Sequence, residues 1–310
     1  MKAVLKRLLY EPGSYFFQND LRRWLYKSAA GVFARRRVQA GRATLALLPA
    51  VDNKIGECGY LILPPKPHDS LRAQAISAAE EIVAWRSIDF NLTTGPNRAT
   101  VRGLLMQHDL LHHRAILNYG LSDELISPAA DSLGQLPVMP YIFIWRSVPS
   151  DKRDFKHSQM WHMDYSDTTQ IKVFVFLEDI NEQHGPLTLI NAPSSQRLRK
   201  QLRYNYLKRR FIPDAEVYRL IDRDKDVVKL TGKKGTVVIA NTSRCFHYGS
   251  RVQEGMRHIL VYRYMTYTSF LANPFSSKPF YPLGRFAQLD GLSPLQKAVL
   301  TGMPQYLPRI

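Results

Sequence analysis

The run Ile171-Lys172-Val173-Phe174-Val175-Phe176-Leu177 limits what this 310-residue chain can fold into more than any other stretch. Strand side chains alternate sides, so Ile171, Val173, Val175 and Leu177 share one face and Lys172, Phe174 and Phe176 the other. Both faces are largely apolar, which predicts a strand covered on both sides. A sheet built around such a strand needs a packed layer on each face.

Short strands with turn signals recur around it, the pattern of a β-barrel core. Val138 to Val148 predicts one strand, Gly185-Pro186 the turn into another, and Gly235 to Ala240 a third. Arg257 heads a fourth, Ile259-Leu260-Val261-Tyr262. Helices are predicted on the flanks. Residues 1–40 read as amphipathic helix with a turn at Glu11-Pro12-Gly13, and Leu21, Trp24 and Leu25 share helical spacing. Residues 43–63 read as connecting strand material up to the breaker Pro64-Pro65-Lys66-Pro67. Asp69 caps a helix running to about Arg86. A further helix spans Leu121 to Leu133, with Ser122 or Asp123 at its start and Gly134 as its stop. Ser195 to Arg210 predicts a strongly basic helix, and Ser293 caps a short one through about Leu300. The expected fold class is mainly β with flanking helices (α+β). The expected organisation is one domain over 1–310: a helical cover at 1–135, a barrel core at 138–265 with a lid insert at 195–230, and an extension at 266–310.

The formal charge of +17 predicts a surface that attracts anions. Residues 1–45 hold ten Lys or Arg against two acids, and Arg197 to Lys234 hold thirteen against five. Anionic small molecules, acyl or lipid-like substrates, and a peripheral contact with anionic membrane fit that balance. A solvated basic helix lying on the barrel fits it too. Nucleic acid is not expected, because no recognition helix, zinc finger or aromatic ribonucleoprotein motif is present. No apolar run is long enough for a transmembrane helix, and Lys2, Lys6 and Arg7 break the start as a signal peptide. Cys58 and Cys245 do not make a disulfide framework. The expectation is a reducing cytoplasm, with a possible place at a membrane surface.

The chemistry centres on Trp161-His162-Met163-Asp164. On extended backbone His162 and Asp164 point to the same side. With one more His they form a facial triad, a site that grips Fe(II) and leaves three positions open. His247, in Cys245-Phe246-His247-Tyr248-Gly249, is the candidate third ligand. His-x-Asp alone is a short pattern that arises by chance; the ordered set of motif, strand, Gly-Pro turn, strand, distant His and Arg is more restrictive. His108 and His112 stand one helical turn apart but lack the Glu of a zinc-protease helix, and read as surface or structural histidines. Cys245 reads as a small buried residue.

The ordered set resembles the phytanoyl-CoA dioxygenase family. The residues that carry the resemblance are His162-Met163-Asp164, then Val175-Phe176-Leu177-Glu178-Asp179-Ile180 leading to His184-Gly185-Pro186-Leu187, then His247 and Arg257. It covers roughly residues 120 to 265. After the second strand the family usually carries Pro-Gly-Ser-His, where this chain has Asn191-Ala192-Pro193-Ser194-Ser195. The resemblance implies a double-stranded β-helix (jelly-roll, cupin-like) core. It implies Fe(II) on His162, Asp164 and His247, with 2-oxoglutarate and O2 as co-substrates and hydroxylation as the outcome. Because Asp164 keeps the carboxylate that related halogenases lack, halogenation is not implied. Arg257 is assigned the distal carboxylate of 2-oxoglutarate, with Arg251 as its rival, and Phe174 the aromatic facing the cavity. Lys172 shares Phe174's face, so it either pairs with a carboxylate of co-substrate or substrate or reaches solvent. The competing function is a barrel that binds without catalysing.

Overall fold

The computed structural model describes residues 20–51, 54–66, 69–88, 101–149, 155–206, 209–270 and 281–306. Its strands are β1 (Tyr60–Leu63), β2 (Val101–Gly103), β3 (Val138–Ser147), β4 (Gln170–Phe176), β5 (Leu187–Ile190), β6 (Val227–Leu230), β7 (Val237–Asn241), β8 (His247–Tyr248) and β9 (Arg257–Met265). They form a six-stranded sheet in the order β1-β7-β4-β9-β3-β2 and a three-stranded sheet in the order β6-β5-β8. Every pairing is antiparallel. The backbone at His162 bridges to His247 and so adds a fourth segment to the smaller sheet.

The pairing identifies the fold. Counting extended segments from Val138, β3 pairs with β9, the His162 segment with β8, β4 with β7, and β5 with β6. First meets last, second meets second-last, and so on inward. That is one long hairpin wound into two facing sheets, a jelly roll with helices packed outside.

β4 lies at its centre, between β7 and β9. Ile171, Val173 and Val175 enter the largest apolar cluster together with the helical cover, while Phe176 and Phe174 enter the cluster between the sheets. The two-sided burial read from the sequence is therefore what the fold uses.

The helix Ser70–Ile88 starts as its cap predicts, with the Arg72 N–H donating to Asp69 Oδ1 at 3.1 Å. Gly134 stops the helix Asp123–Leu133 at φ 65°, the left-handed conformation in which glycine meets no Cβ penalty. Ser293 caps Pro294–Thr301, its Oγ accepting from the Gln296 N–H at 3.2 Å.

Arg72 ties the cover to the sheet. It is 2 % exposed, donates to the carbonyls of Pro64 and Gly235 at 2.9 and 3.1 Å, and reaches Glu124 Oε1 at 2.5 Å. Replacing Arg72 by Met removes the donor of the two carbonyls and the buried cation beside Glu124, which keeps only Lys66 and Tyr119. We expect a loss of about 3–5 kcal/mol in a urea melt, against under about 0.5 kcal/mol for exposed Lys225→Met.

Of the local expectations, three are revised and one holds. Within 43–63 only Tyr60–Leu63 is strand; Thr44–Leu47 is a 3-10 turn and Lys54–Cys58 a short helix. The basic helix is Ala192–Gln201, earlier and shorter than 195–210. Asn191 caps it by accepting from the Ser194 N–H, and Arg203 adopts φ 46° just after its end. The helix carrying the histidines is one turn, Asp109–His112, with His108 as its N-cap, and His108 and His112 are both exposed, as surface histidines are. Finally, Leu21, Trp24 and Leu25 of the helix Asp20–Phe33 face outward at 65, 63 and 49 % exposure. Its inward face is Tyr26 and Ala30 with Arg23, and Lys27 reaches buried Asp167 at 2.6 Å. A polar anchor, the Tyr26 ring against Phe270 and small residues seat this helix, not Leu21, Trp24 and Leu25. The turn expected at Glu11-Pro12-Gly13 lies outside the described residues.

Candidate metal centre

The two candidate histidines are joined through the backbone. The His162 N–H donates to His247 O at 3.0 Å and the His247 N–H to His162 O at 2.9 Å. Such a mutual pair brings Cα atoms close and stands the side chains side by side; the ring centroids are 4.3 Å apart. Two residues on, the Asp164 N–H donates to Thr242 O at 2.9 Å, which holds the segment extended and aims Asp164 to the side His162 faces.

Each imidazole is oriented by its own chain. His162 Nδ1 is 2.9 Å from Met160 O and His247 Nδ1 is 3.0 Å from Cys245 O. A carbonyl only accepts, so each Nδ1 carries the proton and each Nε2 keeps a free lone pair. Burial, then the neighbouring His247, holds the His162 pKa down to about 3, and burial also lowers that of His247. Burial works to raise the Asp164 pKa, but Lys172, the two histidines and Arg263 together hold it below the usual carboxylate range. The result is two neutral imidazoles and a carboxylate whose ligand atoms all lie within 4.8 Å of one another. All three donors are deprotonated, as a divalent metal requires. Among the described residues this is the one cluster of its kind.

Asp164 has partners that the sequence did not reveal. Gln170 Nε2 donates to its Oδ2 at 3.0 Å and to Thr242 Oγ1 at 3.2 Å. Lys172 Nζ is 2.6 Å from the same Oδ2. Lys172 therefore points into the barrel rather than to solvent, and its partner here is the candidate metal ligand.

The two histidines of the triad open onto a cavity of ≈ 290 Å³ between the two sheets. His162 and His247 form one wall, while Phe174, Arg257 and Arg263 stand on the wall made by the larger sheet. Arg257 is 5 % exposed; it donates to Gly185 O, to Ser147 Oγ at 3.2 Å and to Ser250 Oγ at 2.6 Å. No carboxylate pairs with it among the described residues, and its buried Nε has no partner. Burial pushes its pKa down to about 10, which still leaves it charged at neutral pH. The rival Arg251 is committed elsewhere. It grips Asp214 with both terminal nitrogens at 2.7 and 2.8 Å and lies 3.5 Å over the Tyr248 ring, facing a separate pocket.

Gly185 holds the turn that receives Arg257. It adopts φ 61°, and a Cβ there would stand 2.5 Å from the backbone of Arg251 and Val252. Gly185→Ala is expected to cost roughly 2–5 kcal/mol from strain and overlap combined, measurable by urea denaturation.

The segment after the basic helix clamps the metal strand from outside. Tyr204 Oη accepts from the Met163 N–H at 3.3 Å, Tyr206 Oη donates to Asp164 O at 3.3 Å, and the Ile212 N–H donates to Trp161 O at 2.9 Å. It also sets the Phe211 ring 5.6 Å from that of His162. Nothing local in the sequence marks Phe211. Arg263 was legible in principle, since it continues the even-spaced face of Arg257, Ile259 and Val261.

The sequence matches no family model and no curated protein. Solved structures are similar at low identity. One is the epimerase SnoN in complex with Fe3+, alpha ketoglutarate and nogalamycin RO, at 14 % identity over 80 % of this chain and 91 % of that one, TM-score 0.49. Another is EctD from S. alaskensis with 2-oxoglutarate and 5-hydroxyectoine, at 17 % over 74 % and 80 %, TM-score 0.49. A third is HygX from Streptomyces hygroscopicus with nickel and 2-oxoglutarate, at 14 % over 70 % and 88 %, TM-score 0.44. The strand pairing described above fixes the fold independently of these similarities.

Proposed function

We propose that this protein is an Fe(II)- and 2-oxoglutarate-dependent dioxygenase, similar to the phytanoyl-CoA dioxygenase family. Its proposed reaction is hydroxylation of an unactivated C–H in an anionic small-molecule, acyl or lipid-like substrate. One arrangement carries the reading: two neutral imidazoles, clustered with a carboxylate, line a cavity whose wall also holds Arg257, a buried cation without a carboxylate partner among the described residues. A buried unpaired charge is costly, and a dicarboxylate anchored at the metal supplies the missing anion.

His162, Asp164 and His247 would hold the metal by one face and leave adjacent positions open. The chemistry supplied there would be O2 activation coupled to conversion of 2-oxoglutarate into succinate and CO2. The protein's own part is positional. Met160 O and Cys245 O fix the two imidazole tautomers. Gln170 and Lys172 restrain Asp164. Arg257, held by two hydroxyls and a carbonyl, keeps its charge and an unpartnered Nε–H for a carboxylate. Phe174 and the apolar wall around it exclude water.

The test is anaerobic loading with Fe(II), then O2, with succinate measured against 2-oxoglutarate consumed and His162→Ala as control. Succinate that depends on His162 supports the reading. Fe(II) binding without any succinate supports the competing barrel that binds and does not catalyse.

No described helix is long and apolar enough to cross a membrane. For location we propose the cytoplasm, with contact at an anionic lipid surface. Leu21, Trp24, Leu25 and Val32 are 49 to 72 % exposed along the helix Asp20–Phe33, and Arg35 and Arg36 follow it on the surface. Trp24→Ser with Leu25→Ser is expected to reduce sedimentation with phosphatidylserine vesicles at least about threefold. Equal pelleting of both forms would end this proposal.

A further inference from the structure

Among the described residues, the charged side chains lining the cavity are Lys172, Arg257 and Arg263. Asp164 is the single acid in contact with any of them. With a divalent metal and 2-oxoglutarate in place, as the proposed function requires, positive charge still exceeds negative by two. A surplus of that kind in a largely apolar cavity is unfavourable until a further anion arrives.

The surplus is localised by strand register. Lys172 on β4 is the direct cross-strand partner of Arg263 on β9, so the two cations stand side by side. Arg257 is paired with Ser147 at the far end of the same strand. Six residues separate Arg257 from Arg263, about 20 Å of extended backbone. A five-carbon diacid that spans from the metal to Arg257 leaves the Lys172–Arg263 end unfilled.

Between the two ends runs an aromatic wall. Tyr141 and Phe143 stack at 5.7 Å between centroids, and Phe143 and Trp145 at 5.0 Å. In the register, Tyr141 faces Arg263, Phe143 faces Val261 and Trp145 faces Ile259. The Arg263 guanidinium lies 5.4 and 5.5 Å from the Tyr141 and Phe143 rings, and its buried Nε has no hydrogen-bond partner.

We infer that Lys172 and Arg263 form a second anion subsite, distinct from the co-substrate anchor at Arg257, which seats the acidic group of a substrate whose apolar body lies on Phe143 and Trp145. The substrate class is an amphiphilic carboxylic acid or phosphate. Lys172 links this subsite to the metal centre, because the ammonium that would receive the substrate's anion also touches Asp164. Arg263 is the specificity-determining residue of the pair, since it makes no contact with a metal ligand.

The probes are 2-naphthoate and 2-naphthyl phosphate, with 2-naphthylmethanol as the uncharged analogue. Binding is measured by calorimetry on the full chain, both alone and loaded with redox-inert Zn(II) and saturating 2-oxoglutarate. At least one acid should bind ten times more tightly than the alcohol, and which one does so distinguishes carboxylate from phosphate. Arg263→Gln should weaken that acid tenfold or more while 2-oxoglutarate affinity stays within twofold, and Arg263→Lys should restore most of the loss. Three outcomes would overturn the inference: no binding of either acid at millimolar concentration, equal binding of the alcohol, or a loss of 2-oxoglutarate affinity in Arg263→Gln as large as that of the probe. Should Zn(II) and 2-oxoglutarate fail to bind at all, the oxygenase reading falls. The dependence of acid binding on Arg263, measured on the unloaded protein, then still decides this inference.

Discussion

Replacing His247 by alanine is expected to lower divalent-metal affinity on the order of 100-fold or more. Structural metal sites bind with about 10–16 kcal/mol, so one ligand carries about 3 kcal/mol. The loss is local, because the backbone bridge between residues 247 and 162 needs no side chain. Succinate formation should fall with the metal, and a circular-dichroism melt should show the fold retained. Asp164→Asn makes a second test of the same centre. Asn keeps the shape but removes the charge that offsets Lys172, whose ammonium is 2.6 Å away. Metal affinity should fall there too, since a neutral amide is a poorer donor and the cation beside it is no longer compensated. Unchanged metal binding in both variants would place any metal elsewhere in the molecule.

Arg257→Met is expected to raise the 2-oxoglutarate concentration needed for half-saturation on the order of 100- to 1,000-fold, the usual result of removing one member of a buried charge pair. Metal affinity should stay nearly constant, because Arg257 hydrogen-bonds Gly185, Ser147 and Ser250 and none of the metal ligands. A second readout needs no turnover. Ligand at about 100 times its dissociation constant stabilises a protein by about 2.7 kcal/mol. That thermal shift, measured with Zn(II), should be present in the native chain and vanish in Arg257→Met. Arg257→Lys should recover only part of it, because an ammonium keeps the charge but cannot also hold Gly185, Ser147 and Ser250 as the guanidinium does. A full shift in Arg257→Met would move the co-substrate's distal carboxylate to another cation, with Lys172 and Arg263 next in line.

The sequence by itself determined the parts of this protein that depend on near neighbours along the chain. Alternation of side chains set His162 and Asp164 on one side, and divided Ile171, Val173 and Val175 from Phe174 and Phe176. Single-residue effects at Asp69, Gly134 and Ser293 marked helix ends, because capping groups and left-handed turns act within one turn of backbone. Tertiary structure decided what needed distant partners. The choice of Asp164 as the partner of Lys172, the commitment of Arg251 to Asp214, and the approach of Phe211 to His162 all join positions whose adjacency no local pattern encodes. The outward turn of Leu21, Trp24 and Leu25 belongs here as well, since the partners of the opposite face, Asp167 for Lys27 and Phe270 for Tyr26, are distant in sequence. Periodicity says which residues share a face. Which face is buried is settled by the rest of the fold, where the partners that each face meets come from distant parts of the chain.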